Sequence, residues 1–257
     1  MDQTVIVGMY QFVGFHLTKH LLELGEDVIG IDWELNEEKE LEIGRNANFS
    51  FLKPSSLSYM NVSNETMIYI SWYDFNNRRS VFSFEETEEI FLALNSWSKV
   101  PNENRPTVVL LYPLGVKHQR ILSIVEQAEW MKMIYLPTIY GPGQHEESAF
   151  EVSIHKKSRS EIEKALEREY KNDAIFIDDL LENLPQITTL NERMITVKSK
   201  QENQWSLCAK LVFHPELLEG LRGNAEIDPK HQTYMFEIEN HTSPEEGIAL
   251  QVQHRIR

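Results

Sequence analysis

The chain has 257 residues, 41% of them hydrophobic and 10% aromatic, which is enough to bury a sizeable core and excludes disorder as a whole. Its 25 basic and 40 acidic side chains leave a formal charge of −15, which argues against a nucleic-acid polyanion as partner. Cys208 is the only cysteine, so an internal disulfide framework and a multi-cysteine zinc site are excluded and a reducing compartment is favoured.

The opening MDQTVIVG has no basic stretch, and its apolar run is too short for a signal peptide or a membrane span. The expectation is a cytoplasmic protein with no membrane contact. The first half then alternates short β-branched runs with amphipathic stretches of helical length, the pattern of βαβ units around a parallel sheet. Residues 4–7 read as a first strand. Val13, Leu17, Leu21 and Leu24 form the core-facing stripe of a helix that stops at Gly25 as its C-cap. Residues 27–32 (DVIGID) make the second strand, 48–52 a short third and 66–72 (TMIYISW) a fourth. Residues 85–97 predict an acidic-fronted helix carrying Ile90, Phe91 and Leu94, and TVVLLY at 107–112 is a continuous apolar strand of the kind a parallel sheet buries. Residues 116–131 predict a helix with Ile121, Leu122, Val125 and Ala128 on one side. A strand at 133–136 leads into the turn residues GPG.

After Gln144 the chain becomes dominated by charge as far as residue 173, which predicts a boundary between residues 1–144 and a smaller region at 145–257. Ser160 and Glu163 have capping-box spacing for a helix through about Tyr170. A second apolar run covers 174–184, and Ser243, Pro244 and Glu246 mark another helix start.

The first strand runs into Gly8, Met9, Tyr10, Gln11, Phe12, Val13 and Gly14, where a glycine turn would cradle a pyrophosphate at a helix N-terminus. Gly8 serves the tight turn and Gly14 the close packing, but Gln11 stands where the backbone must approach the phosphates. Asp32 ends the second strand, where a carboxylate bonds a ribose diol and favours NAD over NADP; a merely solvated aspartate would read the same.

Taken in order, VIVGMYQFVGFHLTKHLLELGEDVIGID, MKMIYLPTIYGPGQ, DAIFIDDL and TSPEEGI make the chain resemble an extended short-chain dehydrogenase of the NAD-dependent epimerase/dehydratase family. The resemblance implies an α/β fold: a Rossmann-type doubly wound parallel sheet with a small, reduced C-terminal substrate-side region. It also implies NAD(P) on the Rossmann part and a nucleotide-linked sugar or similar substrate on the other. The cofactor would be lined by Gly8, Gln11, Phe12, Val13, Gly14, Asp32, Trp33, Ser71, Trp72 and Lys117. Family enzymes add a Ser at the strand end before the catalytic helix and a Tyr four residues ahead of a Lys, the Tyr moving the proton and the Lys lowering its pKa. Lys117 takes the lysine place, but Pro113 stands four residues earlier and Tyr112 five; none of the nine tyrosines has Lys at plus four. No Ser or Thr lies between Thr107 and Ser123, and the cofactor-lining stretch reads Ile70, Ser71, Trp72, Tyr73 and Asp74, whose rings either stack on a ligand or fill its place.

Three readings follow. In the first, the chain is a pseudoenzyme that binds a partner protein or a nucleotide. In the second, Tyr112, displaced by one residue, still works with Lys117 in an NAD(P)-dependent epimerase, dehydratase or reductase acting on a nucleotide sugar or a small carbonyl compound. Family enzymes also pair through helices equivalent to 85–97 and 116–131, which implies a homodimer in which Ile90, Phe91, Leu94, Trp97, Ile121 and Val125 are shared between core and interface. His16 and His20 have metal-ligand spacing but no third ligand, so no metal is expected. Cys208 reads as a buried small residue, and His155, Lys156, Lys157 and Arg159 as a salt-bridged rim.

Overall fold

The computed structural model describes residues 3–77, 84–116, 119–219 and 233–256. They form two compact units, Met1–Tyr112 with His118–Met133, and Pro113–Lys117 with Ile134–Arg257.

The first unit holds β1 (Gln3–Val7), α1 (Phe12–Glu23), β2 (Asp27–Ile31), α2 (Glu37–Ile43), β3 (Phe49–Leu52), β4 (Met67–Ser71), α3 (Trp72–Asn77), α4 (Phe84–Ser98), β5 (Thr107–Pro113) and α5 (Gln119–Gln127). The last residue of β5, Pro113, belongs to the second unit, and β6 (Met131–Leu136) likewise begins in the first unit and ends in the second. The strands lie in the order β5-β4-β1-β2-β3, all parallel. This is the α/β fold with a parallel sheet that the alternating pattern predicts, and of the Rossmann type that the family resemblance implies. Val5, Ile6 and Val7 of the central strand are fully buried, as a strand covered on both faces requires. Val13, Leu17 and Leu21 of the α1 stripe are buried too, but Leu24, placed in that stripe by its spacing, is the C-cap residue and is 60% exposed, and the helix closes where Gly25 takes a φ of +82°. Around β1 the strand order reverses, so the crossovers to β2 and β4 leave a crevice at the carboxyl ends of the strands. Gly8, Asp32 and Ser71 are brought to that edge, because Val7 pairs with both Ile31 and Ile70.

Three elements differ from their prediction. Trp72 opens α3 instead of extending β4. α5 closes with Ala128 N–H on the Ile124 carbonyl, so Met131 starts the next strand instead of ending the helix. α2 carries no apolar stripe and buries none of its residues, so periodicity is silent about it; Asn36 caps it by accepting from Lys39 N–H at 3.0 Å.

The second unit continues with β7 (Thr138–Tyr140), α6 (Ala149–Ile154), α7 (Arg159–Arg168), β8 (Ala174–Phe176), α8 (Ile177–Thr189), β9 (Met194–Ser199), α9 (Gln204–Val212), α10 (Pro215–Leu218), β10 (Tyr234–Ile238) and α11 (Pro244–Ile256). β9 pairs parallel with β10, and β7 with β8. The capping box of α7 is Ser158 with Glu161, two residues before the predicted pair, and Glu163 instead meets Arg159 at 2.8 Å. Ser243 caps α11 as expected, accepting from Glu246 N–H at 3.2 Å. Phe150 stacks on Trp205, and Trp205 on Phe213, with centroids 5.8 and 6.2 Å apart. Buried carboxylates anchor the connecting loops: Asp173 accepts from Ser199 N–H at 2.7 Å and from Ala174 N–H at 2.8 Å, and burial pushes it up to about 6. Among the described residues, no helix is long and apolar enough to cross a membrane.

Candidate functional site

The glycine turn at the end of β1 has the backbone of a phosphate cradle. Gly8 has a φ of +89°, and its N–H donates to Ile31 O at 2.8 Å, locking the turn to β2. A Cβ on Gly14 would lie 2.0 Å from Gly8 O, so the first turn of α1 packs directly on this loop. Gly8, Gln11, Phe12, Val13, Gly14, Asp32, Trp33, Ser71 and Trp72 are all placed in the first unit, and Lys117 lies outside the described residues.

Hydrogen bonds around this turn come from the chain itself. Asp32 accepts from Tyr10 N–H at 2.9 Å, from Trp33 N–H at 2.8 Å and from the Gln11 amide, whose Nε2 is 3.1 Å from Oδ2. Gln11, the N-cap residue of α1, therefore makes no side-chain cap. The second and third N–H groups of the helix go to a residue that sequence reasoning left unassigned. Asp74 accepts from Val13 N–H and from Gly14 N–H, each at 3.1 Å, and from Ser71 Oγ at 2.6 Å. Burial pushes Asp74 up to about 6, opposed by those three hydrogen bonds and by the positive charge of Lys39. Lys39 donates to Tyr10 O at 2.6 Å and lies over the Phe15 ring, 4.8 Å from its centroid.

Rings close the space beside the turn. Phe75 Cε1 and Cζ stand 2.8 and 2.9 Å from where a Cβ on Gly8 would be, so the ring takes up the clearance that the glycine creates. Trp33 meets Phe75 edge-on at 5.4 Å, and Trp72 lies 6.1 Å from Phe75 and 6.0 Å from Phe91. Trp72 and Tyr73, the two rings expected beside the cofactor path, are both buried. As arranged, the Val13 and Gly14 N–H groups of the turn hold a carboxylate and the Phe75 ring lies against its open glycine.

Tyr112 has 0% exposure within β5. The histidines at 16 and 20 are half-buried on the flank of α1, and among the described residues no cluster of three or more His, Cys, Asp or Glu could hold a metal ion. Cys208 is fully buried, and burial pushes its thiol up to about 12. His155 Nε2 lies 3.1 Å from a Glu151 carboxylate oxygen, and Arg159 is held in ion pairs with Glu163 and Glu216.

One signal for Asp74 was present in the sequence: Ser71 and Asp74 have the S-x-x-D spacing of a helix start. The spacing announces α3. It does not say that the carboxylate serves α1, some 60 residues away along the chain.

The fold is shared with sugar-nucleotide enzymes at low identity. The chain superposes on a dTDP-glucose 4,6-dehydratase from Bacillus anthracis solved with NAD, at 12% identity and a TM-score of 0.62, covering 100% of this chain and 97% of that one. It superposes on a UDP-glucose 4-epimerase from Thermotoga maritima solved with UDP-glucose, at 14% identity and 0.61, covering 99% and 98%. A UDP-glucuronic acid 4-epimerase from Bacillus cereus, solved with UDP-glucuronic acid and NAD, gives 13% and 0.58, with 98% of each chain covered. No curated protein sequence matches significantly. The profile of the NAD dependent epimerase/dehydratase family matches residues 4–177, more than half of the sequence, and the chain belongs to that family.

Proposed function

We propose that the chain is a non-catalytic member of its family that acts by binding a partner protein. The observation that carries this reading is the state of the acid-base position. A general acid must come within hydrogen-bond reach of the substrate hydroxyl, but the tyrosine nearest to Lys117 in the sequence, Tyr112, is sealed inside β5. Its neighbour Pro113 has no proton to give, and the stretch from 108 to 122 holds no Ser or Thr. A cytoplasmic location belongs to the same reading, and the single free cysteine supports it. Any dinucleotide that entered would be NAD in preference to NADP, because the Asp32 carboxylate repels a 2′-phosphate.

The test is incubation of the pure protein with NAD or NADP and each of dTDP-glucose, UDP-glucose and UDP-glucuronic acid, followed by chromatography of the sugar nucleotides. No conversion is expected. Conversion that Tyr112→Phe abolishes would overturn the reading and restore Tyr112 as the acid-base group.

The first partner to test is a second copy across α4 and α5. Ile90, Phe91, Leu94, Trp97, Ile121 and Val125 are all buried within the unit, while Leu92 of α4 is 57% exposed. Light scattering at twice the 30.1 kDa chain mass would support the homodimer. A monomer would direct the search to other proteins.

A further inference from the structure

The N-terminus of α1 is a complete anion site whose anion is part of the chain. Two helix N–H groups, those of Val13 and Gly14, and the Ser71 hydroxyl converge on the Asp74 carboxylate at 3.1, 3.1 and 2.6 Å. These are the helix groups that a bound phosphate takes at such a terminus. We infer that Asp74 is a built-in anion that takes the place of a dinucleotide pyrophosphate on α1 and closes the family's cofactor cradle from within.

Two independent contacts point the same way. Gln11 spends its amide on Asp32, the carboxylate that would meet a ribose diol. Phe75 lies against Gly8, where the phosphate chain would need to approach the backbone. Asp74 sits in the first turn of α3, three residues from Ser71, so its position is set locally and it reaches the helix without rearrangement. A carboxylate tethered at this range competes with free ligand at the high effective concentration of an intramolecular contact. A second anion on the same terminus would also meet its full like charge. Near pH 7.5 the group is ionised, because its pKa of about 6 lies well below that pH. The inference stands apart from the proposed loss of catalysis, since a chain without an acid-base pair could still hold NAD.

Calorimetric titration at pH 7.5 with inorganic pyrophosphate, ADP and NAD tests it on the wild type, on Asp74→Ser and on the Asp74→Ser/Phe75→Ala double variant. The wild type is expected to give no saturable heat up to about 1 mM. Asp74→Ser keeps a short acceptor but loses the charge, and it is expected to bind pyrophosphate at least roughly tenfold tighter. The double variant should extend the gain to ADP and NAD. Micromolar NAD binding by the wild type would overturn the inference. So would folded variants that bind all three probes no better than the wild type, the result a purely structural cap predicts. Should the variants fail to fold, the amide resonances of Val13 and Gly14 in the wild type decide. They are expected to shift together between pH 7.5 and 5 as Asp74 protonates beside Ser71 of β4 and Lys39 of α2, and amides fixed across that range would overturn the assignment.

Discussion

At the scale of single residues, the glycine turn separates two kinds of glycine. Gly14 is required by space, because an added Cβ would meet Gly8 O at 2.0 Å and no rotamer can relieve a clash with backbone. Gly25 is required only by its φ of +82°, with nothing within 4 Å of an added Cβ. Gly14→Ala is therefore expected to cost about 3 kcal/mol or more, and Gly25→Ala about 1 kcal/mol, both read from urea midpoints at constant m-value. Gly8, Gly14 and Asp32 were legible in the sequence because spacing along one βαβ unit places them together. Asp74 and Phe75 were not, because they meet that unit across the sheet from the end of β4. Nothing in a local pattern states which helix a distant carboxylate will serve.

Among the elements, capping decides more than propensity. α7 starts at Ser158 although Ser160 has the same spacing to a glutamate, since Glu161 returns its carboxylate to Ser158 N–H at 2.9 Å. Ser158→Ala is expected to lower stability by about 1 kcal/mol, and Ser160→Ala to leave the thermal midpoint nearly unchanged. For α1 the cap comes from tertiary structure, so Asp74→Ala leaves two buried N–H groups without their acceptor. It is expected to cost about 2–3 kcal/mol by denaturant unfolding, more than a surface cap. The parallel strands and the α1 stripe were readable because burial on both faces leaves continuous apolar runs and burial on one face leaves a helical period. α2 was not readable, having no buried face, and Trp72 was read into the strand before it because a ring suits a strand as well as a helix start.

For the whole molecule, acid carboxyls held above their ordinary range set the pH response. Asp74 and Asp173 are each pushed up to about 6 by burial, from ordinary values just below 4. Between those limits the folded chain keeps protons that the unfolded chain has released, so this contribution to stability is complete on the acid side and is lost as pH rises through about 6. The thermal midpoint is expected to rise from pH 7.5 to 5, each group supplying about 1 kcal/mol over that interval. In Asp74→Asn the Asp74 share of that rise should vanish. The formal charge of −15 acts in the same direction, since protonation relieves self-repulsion.

The thiol of Cys208 turns the native chain into its own clock. It is the only sulfhydryl in the sequence, it is fully enclosed in α9, and its pKa near 12 leaves almost no thiolate at neutral pH. A thiol reagent can modify it only in molecules that have opened the second unit. Labelling followed by mass spectrometry would therefore count opening events one per molecule, with no engineered probe, and the labelling rate should climb with urea along the unfolding curve.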